Sequence, residues 1–141
     1  MKVMFDSNVI IDALTERDIN YKAARQLIRY AASGKIKGYI TAKQITDIYY
    51  VVRKYYSREE QRKALIKTIL NTFEVLPTLK SDIAYCLNSQ INDLEDALID
   101  EVCSANCIGY LVTNNEKDFE NSKSQIWNPS QLLIIVELDQ K

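Results

Sequence analysis

The chain contains no histidine. That absence removes the Ser-His-Asp and Cys-His arrangements, and with them histidine acid–base cleavage through a ribose 2′-hydroxyl. Only three glycines are present, so neither a GxGxxG dinucleotide loop nor a P-loop can be written anywhere. The cysteines, Cys86, Cys103 and Cys107, are odd in number and lack the CxxC spacing of a zinc site. Cys103 and Cys107 lie four apart in a helical pattern, and free, buried thiols in a reducing cytoplasm are expected. No apolar run approaches the length of a membrane span, and the start, Met1 to Asp12, is too short and too acidic for a secretory leader. A cytoplasmic protein without a membrane segment is expected. No repeat, low-complexity stretch or linker interrupts the 141 residues. One domain over 1–141 is expected, large enough to bury roughly two thirds of its unfolded surface.

What the chain does have is acidic islands beside apolar runs. They are Phe5-Asp6-Ser7-Asn8, Thr46-Asp47-Ile48, Asp93-Leu94-Glu95-Asp96 and Thr113 to Phe119. If a fold gathers such carboxylates, a cation must hold them, because two at ~4 Å repel by ~4 kcal/mol at an effective dielectric of about 20. Oxygen-only ligands select a hard ion, Mg²⁺ or Mn²⁺, over zinc. The net charge of −1 is neutral on nucleic acid, but its distribution is not. Arg53, Lys54, Arg58, Arg62, Lys63 and Lys67 crowd one stretch, whereas residues 93–101 hold Asp93, Glu95, Asp96, Asp100 and Glu101 without a base. A basic helix near an acidic pocket suits a polyanion steered to a metal, and a solvated helix face is the plainer alternative.

Hydrophobic patterning predicts strands at 2–5, 38–40, 73–76, 110–113 and 132–136. Helices are predicted at 20–33, 42–55, 58–71, 81–89 and 93–106, with Gly34 stopping the first. Strands alternating with helices argue an α/β fold: a three-layer α/β/α sandwich on a mainly parallel sheet. In such sheets the functional crevice lies beyond the carboxyl ends of the strands. Asp6 ends strand one, Asn115 and Asp118 follow strand four, and Asp47, Asp93 and Asp96 fall in early helical turns near the same edge.

Each acid has a plainer reading. Asp6 could cap a turn. Asp47 lies off the stripe Ile45, Ile48, Tyr49, Val52 and shares a face with Lys43, Tyr50, Val51 and Lys54, so it could simply be solvated. Asn92 as N-cap with Glu95 at N3 would make a capping box, and Asp93 would suit the helix dipole. Capping leaves Asp96 and Asp100 unexplained; with Asp93 they fall on one helix face away from the stripe Leu94, Ala97/Leu98, Val102 and Ala105. Asp118 reads equally as a loop acid. The tyrosines of Tyr49-Tyr50 and Tyr55-Tyr56 could stack on bases, though packing or a subunit interface suits them as well.

Taken in order, these motifs resemble the PIN-domain nucleases, in particular the VapC-like toxins of bacterial toxin–antitoxin pairs. The matches are Phe5 to Asp12, Thr41 to Tyr50, Asp93 to Leu98, Thr113 to Phe119 and Asn128 to Leu133, spanning nearly the whole chain. The resemblance implies a metal-dependent endoribonuclease whose catalytic, metal-binding acids are Asp6, Asp47, Asp96 and Asp118, around one or two Mg²⁺ or Mn²⁺ ions. It implies Asp93 as an accessory carboxylate and Asn8 and Asn115 as polar support, and Arg53, Lys54, Arg58 and Arg62 become the RNA-binding candidates. It also implies a cognate antitoxin and a homodimer. Two departures stand out: Asp47 where the family often has glutamate, and Asn114 where the fourth motif often has arginine. They support an alternative, a catalytically weak PIN-like domain that binds RNA or protein. A small-molecule phosphohydrolase ranks last, since Asp6-Ser7-Asn8 lacks the second aspartate of a DxD loop.

Overall fold

The first strand, β1 (Lys2–Phe5), already shows the architecture, because its alternate side chains enter two different cores. Val3 and Phe5 join one apolar cluster and Met4 the other, as a strand buried on both faces requires. A computed structural model describes residues 1–139, so the last two residues of the expected domain lie outside the described residues.

After β1 come α1 (Ser7–Thr15), α2 (Tyr21–Ser33), β2 (Lys37–Thr41), α3 (Ala42–Val52), α4 (Glu59–Thr72) and β3 (Glu74–Leu76). Then follow α5 (Lys80–Cys86), α6 (Leu94–Ala105), β4 (Tyr110–Val112), a 3₁₀ turn (Glu116–Phe119), β5 (Gln125–Trp127) and α7 (Pro129–Asp139). The strands form a five-stranded sheet in the order β3-β2-β1-β4-β5, parallel throughout. The chain builds outward from β1 to β3 and then crosses back to β4, so the switch in direction falls between β1 and β4. Right-handed crossovers put α1 to α4 on one face and α5, α6 and the 3₁₀ turn on the other. The first layer packs Leu27, Ile48, Val52 and Val136 against Val3, Phe5 and Ile40. The second packs Val102, Cys103 and Phe119 against Met4 and Leu111. This is the expected three-layer α/β/α sandwich. No helix among the described residues is long and apolar enough to cross a membrane.

The run Leu132 to Val136, predicted as a strand, is the middle of α7 instead. Pro129, Leu132 and Val136 are buried while Ile134 is exposed, a helical period. The start signal lay upstream: Asn128 Oδ1 accepts from the Gln131 N–H at 2.9 Å and Gln131 Oε1 accepts from the Asn128 N–H at 3.1 Å. Those reciprocal bonds, with Pro129 next in line, cap a helix. The true last strand is the short β5. Helix α1 followed no separate signal, because Val9, Ile10, Ile11 and Ala13 are all buried and blur its period.

Two glycines matter. Gly34 ends α2 at φ 83°, the left-handed conformation that suits a residue without a side chain. At Gly38 a Cβ would stand 2.9 Å from the Phe73 ring and 3.0 Å from Ala31 Cβ. Phe73 in turn meets the Phe5 ring edge-on at 5.0 Å, so Gly38 lets α2 and that aromatic pair close onto the sheet. Gly38→Ala should therefore destabilise by about 1–3 kcal/mol through overpacking. A urea midpoint equal to the parent's would contradict this close approach.

Candidate active site

Register brings the site together. Phe5 pairs with Val112 and Met4 with Tyr39, so Asp6 comes level with Thr113 and with Thr41, one residue past β1. The Asp6 N–H donates to Val112 O at 3.0 Å, and Thr113 Oγ1 donates to Asp6 Oδ2 at 2.8 Å. The same Thr113 oxygen accepts from the Asn115 N–H at 2.9 Å. Gln44 fixes the neighbouring helix: its side chain donates to Phe5 O at 2.8 Å and accepts from the Thr41 N–H at 2.7 Å. The start of α3 is thereby pinned to the end of β1. Asp6 is only 6% exposed. Burial pushes its carboxyl up from the ordinary value, with Asp118 and Asp12 adding repulsion, against hydrogen bonds from Thr113 and the Ser7 backbone.

Asp96 comes from the opposite layer, in the first turn of α6. The N-cap is Asp93, not Asn92 as the pattern predicted: Asp93 Oδ1 accepts from the Asp96 N–H at 3.1 Å. Asp93 thus has a capping role whatever else it does. Burial, then Asp93, Asp6, Asp118 and Glu95, push the Asp96 carboxyl up to about 7. Asp96 borders two hollows. One, of about 320 Å³, is lined by Asp6, Ser7, Asn8, Lys43, Asp47, Tyr50 and Glu95 among others. The second, of about 180 Å³, is shared with Asp93, Lys117 and Asp118. Asp6, Asp96 and Asp118, three of the expected acids, therefore face one another's fields at the β1/β4 edge.

Asp47 stands apart. It lines the larger hollow, but its Oδ2 takes the Lys43 ammonium at 2.8 Å, and the same ammonium lies 2.8 Å from Glu95 Oε1. Burial alone would lower the Lys43 pKa; the ion pairs outweigh it and leave the group above its ordinary value. Asp100, grouped on the sequence pattern with Asp93 and Asp96, points elsewhere. It is buried and accepts from Ser122 Oγ and from the Lys123 N–H at 3.1 Å, tying α6 to the loop before β5. Leu94 and Ala105 of the predicted apolar stripe are exposed; Ile99 and Cys103 take their places in the core. Asn8 lines the acidic hollow, whereas Asn115 lines a shallower one with Asp118. Asn114 turns away, its Nδ2 donating at 2.8 Å to the buried Asp12, which also pairs with Arg17. Cys107 is exposed, against expectation, because the chain has left α6 there with a φ of 55°; Cys86 and Cys103 are buried, and all three are free.

The basic stretch is partly self-neutralised, Arg58 pairing with Glu60 and Lys63 with Glu59. Arg53 stacks on Tyr50 at 4.2 Å beside the hollow, and Arg62 lies over Tyr49 at 5.9 Å. Lys54 is exposed next to Arg53. Lys43, Gln44, Thr113 and Asp12 were not singled out from sequence. Thr41-x-x-Gln44 is a readable capping box, and both of its reciprocal bonds form. Nothing local announces the pairing of Lys43 with Glu95, which depends on the fold.

The chemistry of the donors fits a divalent cation. They are carboxylates only, Asp6 and Asp96 are raised by burial and by acidic neighbours, and an ammonium already sits between Asp47 and Glu95. Among the described residues no three such side chains form a closed ligand set, so a cation would have to draw them together.

Comparison with known proteins identifies the family. The PIN domain family matches residues 2–117. The chain belongs to the PIN-domain family. It is 32% identical over 126 residues to Ribonuclease VapC1 of Aquifex aeolicus, covering 84% of this chain and 83% of that protein. In fold it is similar to VapBC2 of Rickettsia felis bound to a promoter DNA fragment, with a TM-score of 0.66, 21% identity, and coverage of 91% of this chain and 100% of that one. A toxin–antitoxin complex from Klebsiella pneumoniae gives a TM-score of 0.66 at 20% identity, covering 90% and 97%. In this PIN domain the acids at the β1/β4 edge share one electrostatic environment, and the second-motif acid is neutralised by a lysine of its own helix.

That environment has a pH signature. A carboxyl raised from 3.8 to about 7 takes up protons on folding between those values. The Asp96 contribution to metal-free stability should therefore be fully present below about pH 4 and be lost as pH rises to about 7. Asp96→Asn should flatten that fall. Urea midpoints in EDTA between pH 4.5 and 7.5 test it, and an equal slope in parent and variant would contradict the coupling.

Proposed function

We propose that this PIN domain is a metal-dependent endoribonuclease that hydrolyses RNA phosphodiester bonds, the toxin of a toxin–antitoxin pair. The observation that carries the reading is the gathering of Asp6, Asp96 and Asp118 from three separate elements, with Asp96 pushed up to about 7 by burial first and by its acidic neighbours second. Such repulsion persists where a cation is needed. The name of the relative, a ribonuclease, supports RNA as the substrate.

Asp6, Asp96 and Asp118 would hold one or two Mg²⁺ or Mn²⁺ ions, with Asp93 adjacent. Bound there, the metal would polarise the scissile phosphate and make water nucleophilic at neutral pH. The chain's own residues do the rest. Thr113 and the Ser7 backbone hold the Asp6 carboxylate in place at the lining of the cleft. Gln44 holds α3 against β1 and so keeps the cleft walls at fixed spacing. Net charge is −1, so attraction of RNA must be local. Arg53 on Tyr50, with Lys54 beside it, offers cation and aromatic face together at the rim, the combination that holds single strands. Arg58 and Arg62 extend the same basic side. With no histidine in the chain, in-line hydrolysis is the route, leaving 5′-phosphate and 3′-hydroxyl ends.

The partner reading rests on the same family: a cognate antitoxin that covers the acidic cleft, placing a basic side chain among the carboxylates, and a homodimer of the toxin in the cytoplasm. Two observations favour a second reading, a PIN domain that binds RNA and cuts poorly. Asp47 is neutralised by Lys43, and Asn114 faces Asp12 instead of the cleft.

Cleavage of structured RNA, including tRNA, with Mn²⁺ separates the two. Cutting should stop in EDTA and fall by about 10²–10³ in Asp96→Asn, the scale on which losing a charge-stabilising group acts. Products ending in a 2′,3′-cyclic phosphate would overturn the mechanism. Tight RNA binding without cutting in either protein would favour the binding reading.

A further inference from the structure

Lys43 is placed as no ordinary surface lysine needs to be. It lies in the first turn of α3, with its ammonium 2.8 Å from Asp47 Oδ2 one turn on and 2.8 Å from Glu95 Oε1, 52 residues away in the first turn of α6. No other hydrogen bond or ion pair joins α3 to α6 among the described residues. The bridge spans the hollow that Asp6 and Asp96 also line, so a positive charge already stands among the carboxylates at its mouth. A plain helix-surface pair does not account for this. Lysine N-terminal to the acid at i,i+4 is the weaker order, worth only a few tenths of a kcal/mol, and it would leave Glu95 unused. An ammonium also carries no preference for octahedral geometry, so it can seat between two carboxylates that a metal would have to rearrange.

Resting on the metal-dependent reading of the cleft, we propose that Lys43 is a built-in counter-cation of Asp47, a positioning residue that a divalent ion must displace before Asp47 joins Asp6, Asp96 and Asp118. The lysine neutralises Asp47 and ties α3 to α6 while the metal is absent, and it competes with the metal for the same carboxylate oxygen. The second-motif acid is thereby a conditional ligand, and the cleft's metal affinity is set below what its carboxylates alone would give.

The test is a double-mutant cycle read by Mn²⁺ binding, which needs no activity. Isothermal titration with MnCl₂ is run on the full chain as parent, Lys43→Met, Asp47→Asn and the double variant. Lys43→Met should lower the Mn²⁺ Kd by about 3-fold or more, the scale on which a half-exposed ion pair competes. In the Asp47→Asn background the same change should have less than half that effect, since the competition acts through Asp47. Lys43→Arg, keeping the charge, should stay within about twofold of the parent. Lys43→Gln repeats the test should the methionine variant fold poorly. An unchanged or weaker Kd in Lys43→Met overturns the role of Lys43 and leaves the metal reading standing. Tightening that persists in full without Asp47 also overturns it, as a general charge effect. A parent that binds no Mn²⁺ overturns both readings together.

Discussion

Carboxylates within reach of one another's charge in a half-buried cleft repel, and this chain's fold sets Asp6, Asp96 and Asp118 within that reach rather than apart. Asp6 is buried at the end of β1 with a single hydroxyl, that of Thr113, donating to its side-chain oxygen. Asp96 lies across from it in the other layer and Asp118 in the turn after β4; burial, and then the charges of these neighbours, raise the proton affinity of Asp6 and Asp96. A protein selected for stability alone would separate such groups or pair them. Here the repulsion is retained; Thr113 and the Ser7 backbone soften it at Asp6, and Lys43 neutralises only Asp47 and Glu95 at the same cleft. The cleft is thus predisposed to accept positive charge, whether lysine, a divalent ion or a basic side chain of a partner.

The constraint is met by topology. The sheet reverses its winding between β1 and β4, which opens a crevice at their carboxyl ends. The parallel register then brings Asp6 level with Thr113 and Thr41, so the loops that leave these strands begin at one edge. Gln44 converts that proximity into a rigid relation between β1 and α3. The opposite wall is α6, whose start is fixed by the Asp93 cap. Packing behind the cleft leaves little slack: Phe5, the residue before Asp6, is wholly buried against Phe73 where Gly38 has no side chain.

Much of this was legible in the sequence, and for physical reasons. Fully buried parallel strands read as short apolar runs, and the acids that end them mark the functional edge. Helices α2, α3, α4 and α6 announced themselves by period, and Gly34 by its stop. Leu132 to Val136 misled because a run apolar on every side fits strand and helix alike; only the Asn128-Pro129-x-Gln131 start decides it. β5 is too short to carry a pattern. Within the site, position along the chain brought Asp6, Asp96 and Asp118 to one edge, and the i,i+4 spacing of Lys43 and Asp47 was readable on one helix, but no local signal told that Lys43 would also meet Glu95, or that Asn114 would meet Asp12. Those pairings join elements distant in sequence and exist only once the layers are stacked.

The proposed divalent-cation site draws its acids from the end of β1, the start of α6 and the turn after β4. A crystal grown or soaked with Mn²⁺, measured for anomalous scattering, tests it most directly. The account predicts an anomalous peak between Asp6, Asp96 and Asp118, lost in Asp96→Asn. A map with no peak there at saturating Mn²⁺, or with the ion held by other residues, would contradict it.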